Sequence, residues 1–268
     1  MKTALTIAGS DASGGAGIQA DLKTFQAHGV YGMSAITAVT VQNTQKVYEV
    51  QEMTPDIVKG QILRLFEDIE IHAVKIGMVS SISLIRAIAD ALGAVARPPV
   101  VLDPVMISKS GYRLLRQDAQ DALVAHLFPL AEVVTPNIYE AEALAGMAIG
   151  TVAQMRTAAE KILALGATKV VVKGGHLGEA RATDIIFDGR EFRSLESRWV
   201  ETKNTHGTGC TFSSAVAANL ALGRDFFDAV TRAKDYITGA IAHSLDIGKG
   251  YGPTHHFYDL YARAGLPE

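Results

Sequence analysis

The sequence predicts an α/β fold: a mostly parallel central sheet with helices on both faces and an antiparallel hairpin at one edge. Three observations predict it. Short apolar runs alternate with longer stretches of helical period, as in successive βαβ units covered on both sides. One late pair of short strands is separated by Asp188-Gly189, a strong hairpin turn signal. No repeat, low-complexity run or linker divides the 268 residues, so one domain spanning 1–268 is expected.

The elements follow in order. Ala4–Ala8 reads as the first strand. Ile18, Leu22 and Phe25 recur at helical spacing, with Gly29 as the stop. Met33–Val41 is β-branched and apolar, a second strand. Thr54-Pro55 supplies a cap and a first-turn proline for a helix carrying Ile57, Val58, Gln61, Ile62 and Leu65. Ala73–Met78 is a strand, Ser83–Leu92 a helix ended by Gly93, and Val100–Asp103 a strand stopped by Pro104. Val133–Thr135 is a strand stopped by Pro136, Ala153–Leu165 a helix ended by Gly166, and Lys169–Lys173 a strand running into Gly174-Gly175. After the hairpin come helices over Phe212–Leu222 and Phe227–Leu245, then a tail with one last helix.

Composition removes several classes. Nearly half the residues are apolar, enough for one sizeable core. A net charge of −3 leaves no electrostatic footprint for nucleic acid or an anionic membrane. The single cysteine, Cys210, precludes an internal disulfide and fits a reducing cytoplasm. The N-terminus reads as a strand rather than a signal peptide. The longest uncharged stretch, Thr24–Gln45, is too polar to span a membrane.

Three glycine loops stand at expected strand ends, where open α/β sheets bind ligands. Gly9–Asp21 holds Gly15-Ala16-Gly17-Ile18-Gln19-Ala20, a literal dinucleotide fingerprint. The acidic residue that reading needs after the next strand is absent, since Gln42-Asn43-Thr44 stands there. A tight strand-to-helix turn is the alternative. Lys173–His176 offers a cation and a glycine backbone to a phosphate, or an ordinary turn. Asn204–Cys210 (NTHGTGC) runs straight into a helix, so converging N–H groups and a positive helix end can cradle an oxyanion. The plainer alternative is a helix start capped by Thr208 or Thr211. Among the acids, Asp103 closes an apolar strand, and helical spacing puts Asn137 and Glu140 on one face of a first turn. Carboxylates so placed can hold Mg²⁺ beside phosphates, or act as caps. His255-His256 reads as structural, because adjacent rings do not easily face one metal.

The segments TIAGSDASGGAGIQADLKTF, GMSAITAVTVQNT, KIGM, LDPVMISKSG, TPNIYEAE, KGGH, NTHGTGCTFSSA and GPTHHF occur in this order between about Ala4 and Phe257. In combination they resemble the hydroxymethylpyrimidine/phosphomethylpyrimidine kinases of thiamine biosynthesis, members of the ribokinase-like superfamily. The resemblance implies a ribokinase-like three-layer α/β/α sandwich. It implies two successive ATP-dependent phosphorylations, of 4-amino-5-hydroxymethyl-2-methylpyrimidine and then of its monophosphate. It places Gly9, Asp21, Gln42, Met78 and Val105 around the pyrimidine. Asp103, Asn137, Glu140 and Lys173 would serve ATP and Mg²⁺, with Asp103 and Glu140 toward the metal. Gly207, Thr208, Gly209 and Cys210 would form the anion hole, catalytic together with Lys173. Sugar and pyridoxal kinases of the superfamily usually carry an aspartate base at the position of Cys210. The thiol is either partly ionised at a helix N-terminus or a small neutral side chain. The partners implied are the pyrimidine and ATP, without nucleic acid or membrane. Monomer and homodimer both stay open. The rival reading is a pyridoxal or pyridoxine kinase of the same fold.

Overall fold

The computed structural model describes residues 1–108, 110–175 and 181–266; His176, expected to close the Lys173 loop, lies outside the described residues. In chain order the elements are β1 (Thr3–Asp11), α1 (Gly17–Ala27), β2 (Tyr31–Gln42), β3 (Val47–Glu52), α2 (Pro55–Asp68), β4 (Ala73–Ile76), α3 (Ile82–Gly93), β5 (Val100–Leu102), α4 (Gln120–Leu127) and β6 (Val133–Val134). They continue with α5 (Ile138–Ala145), α6 (Val152–Leu163), β7 (Lys169–Val172), β8 (Arg181–Phe187), β9 (Phe192–Arg198), α7 (Thr208–Ala221), α8 (Phe226–Ala242) and α9 (Tyr258–Ala264).

Among the described residues the strands form one sheet, ordered β3-β2-β1-β4-β5-β6-β7-β8-β9. Strands β2, β1, β4, β5, β6 and β7 pair in parallel; β3 at one edge and β8–β9 at the other are antiparallel. The parallel core and the late hairpin match expectation. The second antiparallel edge does not: β3 (VYEVQE) was not foreseen. Its Tyr48, Glu49 and Gln51 are exposed, so it carries the polar surface of a protected edge strand rather than a buried apolar run. Helix α4 was also missed.

Alternation along each central strand fills two cores. Leu5, Ile7, Val100, Leu102, Val134, Val170 and Val172 face the layer containing α2, α3, α5 and α6. Ala4, Ala73, Val101, Val133, Val171 and Ile186 face α7 and α8, with Phe25 of α1. Helix α2 starts as its sequence requires: Thr54 is the N-cap, its side chain accepting from the Ile57 N–H, with Pro55 in the first turn.

Helix α7 begins at Thr208, four residues before the expected start. Thr208, Gly209 and Cys210 are therefore its first turn and not part of a loop. Every residue from Thr211 to Ala221 is buried, and Ser and Ala make up much of this stretch. Such narrow side chains let the helix lie close to β1, β4 and β5, against which it packs. Its N-terminus thus points at the carboxyl ends of the central strands.

Candidate active site

The chain leaves β1 toward β2 and then returns to the other side of β1 with β4. This reversal is the topological switch point at which open α/β sheets bind ligands. Gly9 and Met78 meet there: a Cβ on Gly9 would lie 3.0 Å from the Met78 sulfur. Gln42 ends β2 on one side. On the other, Asp103 and Val105 follow β5, Asn137 follows β6 and Lys173 follows β7. Sheet order therefore gathers most of the residues expected at the pyrimidine on one side and those expected at the phosphates on the other; Val105 is the exception, following β5 beside Asp103.

The phosphate half is a cluster of opposed charges. Lys173 Nζ donates to Asp103 Oδ1 at 3.0 Å. Asp103 is 2 % exposed and also takes the Thr135 hydroxyl at 3.3 Å. A Cβ on Gly209 would stand 3.4 Å from Asp103 Oδ2 and 3.6 Å from Lys173 Nζ, so the ion pair lies against the first turn of α7. Burial opposes the Lys173 charge, but the Asp103 and Glu140 carboxylates outweigh it and hold the ammonium above its ordinary range. Asn137 and Glu140 form a capping box on α5: Asn137 Oδ1 accepts from the Glu140 N–H at 3.0 Å, and Glu140 Oε2 from the Asn137 N–H at 2.8 Å. The cap expected as the plainer reading is real, and it aims the Glu140 carboxylate at the cluster. Burial pushes Glu140 up to about 7, against the pull of Lys173.

The loop before α7 is shaped by close approach. Gly207 is the N-cap at φ +78°, and a Cβ there would collide with the Gly15 carbonyl oxygen, so only glycine fits. The first-turn N–H groups of α7 have no intrahelical acceptor and face the cleft with the positive end of the helix. Thr208 turns its hydroxyl to the Thr205 carbonyl at 2.8 Å, whereas Thr211 Oγ1 meets His256 Nε2 at 3.0 Å. His255 and His256 are both buried, and the GPTHHF segment braces α7, as its structural reading expected.

Cys210 is half-buried at the third position of α7. Desolvation pushes its thiol up to about 11; Lys75 and the Gly17 N–H pull the other way, while Asp21 and Asp103 add to the rise. Of the two readings left open for the thiol, this environment favours the small neutral side chain.

Asp21 is corrected. Expected against the pyrimidine, it is fully buried beneath the cleft, its carboxylate taken up by Lys75, Thr6 and Ser214. Gln42 does stand at the cleft. Its Oε1 accepts the Thr40 hydroxyl at 3.2 Å, and its Nε2 lies 3.4 Å from His206 Nε2. That His206 nitrogen is 2.8 Å from Asp11 Oδ2. A carboxylate only accepts, so His206 Nε2 carries a proton, and the Gln42 N–H groups stay available to a ligand.

Sequence reasoning missed Asp11 and His206. Asp11 accepts from the N–H groups of Ser13, Gly15 and Ala16 and from the Ser13 hydroxyl, folding the first glycine loop around itself. An Asp opening a Ser- and Gly-rich loop is an Asx-turn signal that could have found it. Among the described residues no group of three His, Cys, Asp or Glu side chains is placed to cage a metal. A groove of about 480 Å³ lies at the far end of α7, around Tyr236 and Tyr258, and none of the candidate residues lines it.

The comparisons now decide the family. The sequence profile described as phosphomethylpyrimidine kinase matches residues 11–255. The chain belongs to that family. It is 53 % identical to the hydroxymethylpyrimidine/phosphomethylpyrimidine kinase of Rhizobium meliloti, over 95 % of this chain and 97 % of that one. Among solved structures it resembles phosphomethylpyrimidine kinase from Clostridium difficile (TM-score 0.81, 49 % identity, 90 % and 100 % covered). It also resembles an ADP complex of Bacillus subtilis pyridoxal kinase (TM-score 0.89, 43 % identity, 96 % and 98 % covered). The chain is a ribokinase-like kinase, and the mixed sheet with an antiparallel edge is the fold the motifs implied. Among the described residues no helix is long and apolar enough to cross a membrane.

Proposed function

We propose that this cleft carries out both phosphorylations of thiamine-pathway pyrimidine chemistry within a single kinase domain in the cytoplasm. ATP is the donor; the alcohol 4-amino-5-hydroxymethyl-2-methylpyrimidine accepts first, and its monophosphate second. The observation that carries the site reading is the meeting of Asp103, Lys173 and Gly209 at the α7 N-terminus, because phosphoryl transfer asks mainly for positioning and charge neutralisation. Lys173 and the first-turn N–H groups of Gly209 and Cys210 receive the migrating phosphoryl group. Gly207 and Thr208 hold that turn in place.

The pyrimidine lies across the switch point, between Gly9, Met78 and Val105, with its amino edge on Gln42. The free Gln42 N–H faces the ring nitrogen and its carbonyl oxygen the amino group, the bidentate match by which an amide reads adenine. Asp21 acts from below rather than by contact. Asp103 and Glu140 fit Mg²⁺: two carboxylates without a third protein ligand suit an ion that keeps waters and phosphate oxygens. When bound, Mg²⁺ neutralises charge on the nucleotide phosphates. Asn137 supports this end by orienting Glu140.

A coupled ATPase assay with the pyrimidine alcohol, its monophosphate and pyridoxal tests the function. Turnover with both pyrimidines is expected. Turnover with pyridoxal alone would favour the second reading, to which the likeness to pyridoxal kinase points. Gln42→Leu leaves the amino edge of the bound pyrimidine unpaired and lowers kcat/KM by the equivalent of about 1–3 kcal/mol. Wild-type kcat/KM in that variant would remove Gln42 from the substrate.

A further inference from the structure

Lys75 opens the KIGM segment, of which the proposed function uses only Met78. It is a fully buried ammonium, and among the described residues its carboxylate contact is Asp21, equally buried, at 2.9 Å to each oxygen. An isolated charge in such a place would be prohibitively desolvated, so the pair is built as a unit. Its other partners tie it to four elements. Asp21 is on α1 and Lys75 on β4; Asp21 Oδ2 takes the Thr6 hydroxyl of β1 at 2.6 Å, and Asp21 Oδ1 takes the Ser214 hydroxyl of α7 at 2.7 Å.

The spacing gives these contacts a direction. Gly17 and Asp21 are four residues apart on α1, and so are Cys210 and Ser214 on α7, so each pair shares one helix face. The Gly17 N–H lies close enough to the Cys210 thiol to favour its charged form, while the Ser214 hydroxyl bonds Asp21 at 2.7 Å. One hydrogen-bonded rung therefore crosses between the packed helices α1 and α7, one turn below the first turn of α7, where Gly17 and Cys210 approach each other. Lys75 Nζ sits close under the same floor: a Cβ on Gly77, beside Met78, would come within 2.6 Å of it.

We propose that Lys75, Asp21 and Ser214 are positioning residues that hold the α7 N-terminus in register with the glycine loop, so that the two halves of the cleft meet at the reacting distance. Lys75 fixes the Asp21 carboxylate through contacts of 2.9 Å to both of its oxygens. Asp21 holds Ser214, and Ser214 holds the face of α7 that carries Cys210. The effect falls on the transferred group and not on the pyrimidine ring. This rests on the reading of the α7 first turn as the phosphoryl-binding turn.

The test is Ser214→Ala, a small change in one rung. The expected result is a fall in kcat of about tenfold or more for both acceptors, because displacements of an ångström or less are costly in transfer reactions. Pyrimidine KM and the melting temperature should stay near wild type, and Ser214→Thr should recover part of kcat. Unchanged kcat in Ser214→Ala would overturn the proposal. A second variant, Lys75→Met with Asp21→Asn, removes both charges together. Recovery of folding without recovery of kcat supports positioning, whereas wild-type kcat in this variant overturns it. Gly209→Ala run alongside separates the two readings. If Gly209→Ala also keeps full kcat, the phosphoryl-binding turn itself is wrong; if it alone loses kcat, only the positioning role fails.

Discussion

Lys173→Ala lowers kcat for both phosphorylations by about 10²–10³-fold, the usual loss when one donor to developing charge is removed. The reason is geometric. Lys173 is the ammonium seated against Asp103 and the first turn of α7, where the proposed function places the migrating phosphoryl group. Pyrimidine binding should change little, since β5 and β6 separate Met78 from it, and β1 and β4 separate Gln42 further. The substitution also leaves Asp103 buried without its cation, which costs on the order of 3–5 kcal/mol of stability. Kinetics should therefore be run well below the melting temperature, with thermal unfolding measured in parallel. A variant in which only the pyrimidine KM rises, with kcat intact, would refute the assignment.

Cys210→Asp should separate the two reactions. The thiol is neutral in the physiological range, because burial and the neighbouring carboxylates outweigh Lys75 and the helix end. A neutral residue admits either acceptor. The alcohol has a proton to lose, but the loose transition state of phosphoryl transfer asks little of a base. The monophosphate attacks through an oxygen already ionised near neutral pH and needs no base. A carboxylate at this place would repel it: two unit charges about 4 Å apart interact by roughly 4 kcal/mol at an effective dielectric near 20. Lys75 is already committed to Asp21 and gives the new charge limited relief. Alcohol phosphorylation should persist in part, while kcat/KM for the monophosphate falls by about 10²-fold or more, the rate equivalent of roughly 3–4 kcal/mol. The measurement is kcat/KM on both acceptors for wild type, Cys210→Asp and Cys210→Ser. Equal losses on the two acceptors would sink the charge argument. A Cys210→Ser enzyme dead only on the alcohol would make the thiol a base after all.

The sequence by itself determined the parallel core, the late hairpin and which candidate residues stand just past the strand ends. These are carried by local signals: β-branched runs bounded by glycine and proline, Thr54-Pro55 at a helix start, and acids or glycines immediately past strand ends. Helix α7 was misplaced by four residues because glycines in a first turn look like loop. Only the tertiary structure decided the rest. The family resemblance puts Asp21 at the substrate, yet its partners are Lys75, 54 residues away, and Ser214, 193 residues away. His206 meets Asp11 across 195 residues. The burial that keeps Cys210 neutral is likewise a property of the packed helices, since the same thiol at an open helix end would titrate lower. Local propensity and spacing record which groups a chain carries to the carboxyl edge of its sheet. Which charges neutralise one another there depends on contacts between distant segments, and these exist only once β1, β4, α1 and α7 have packed.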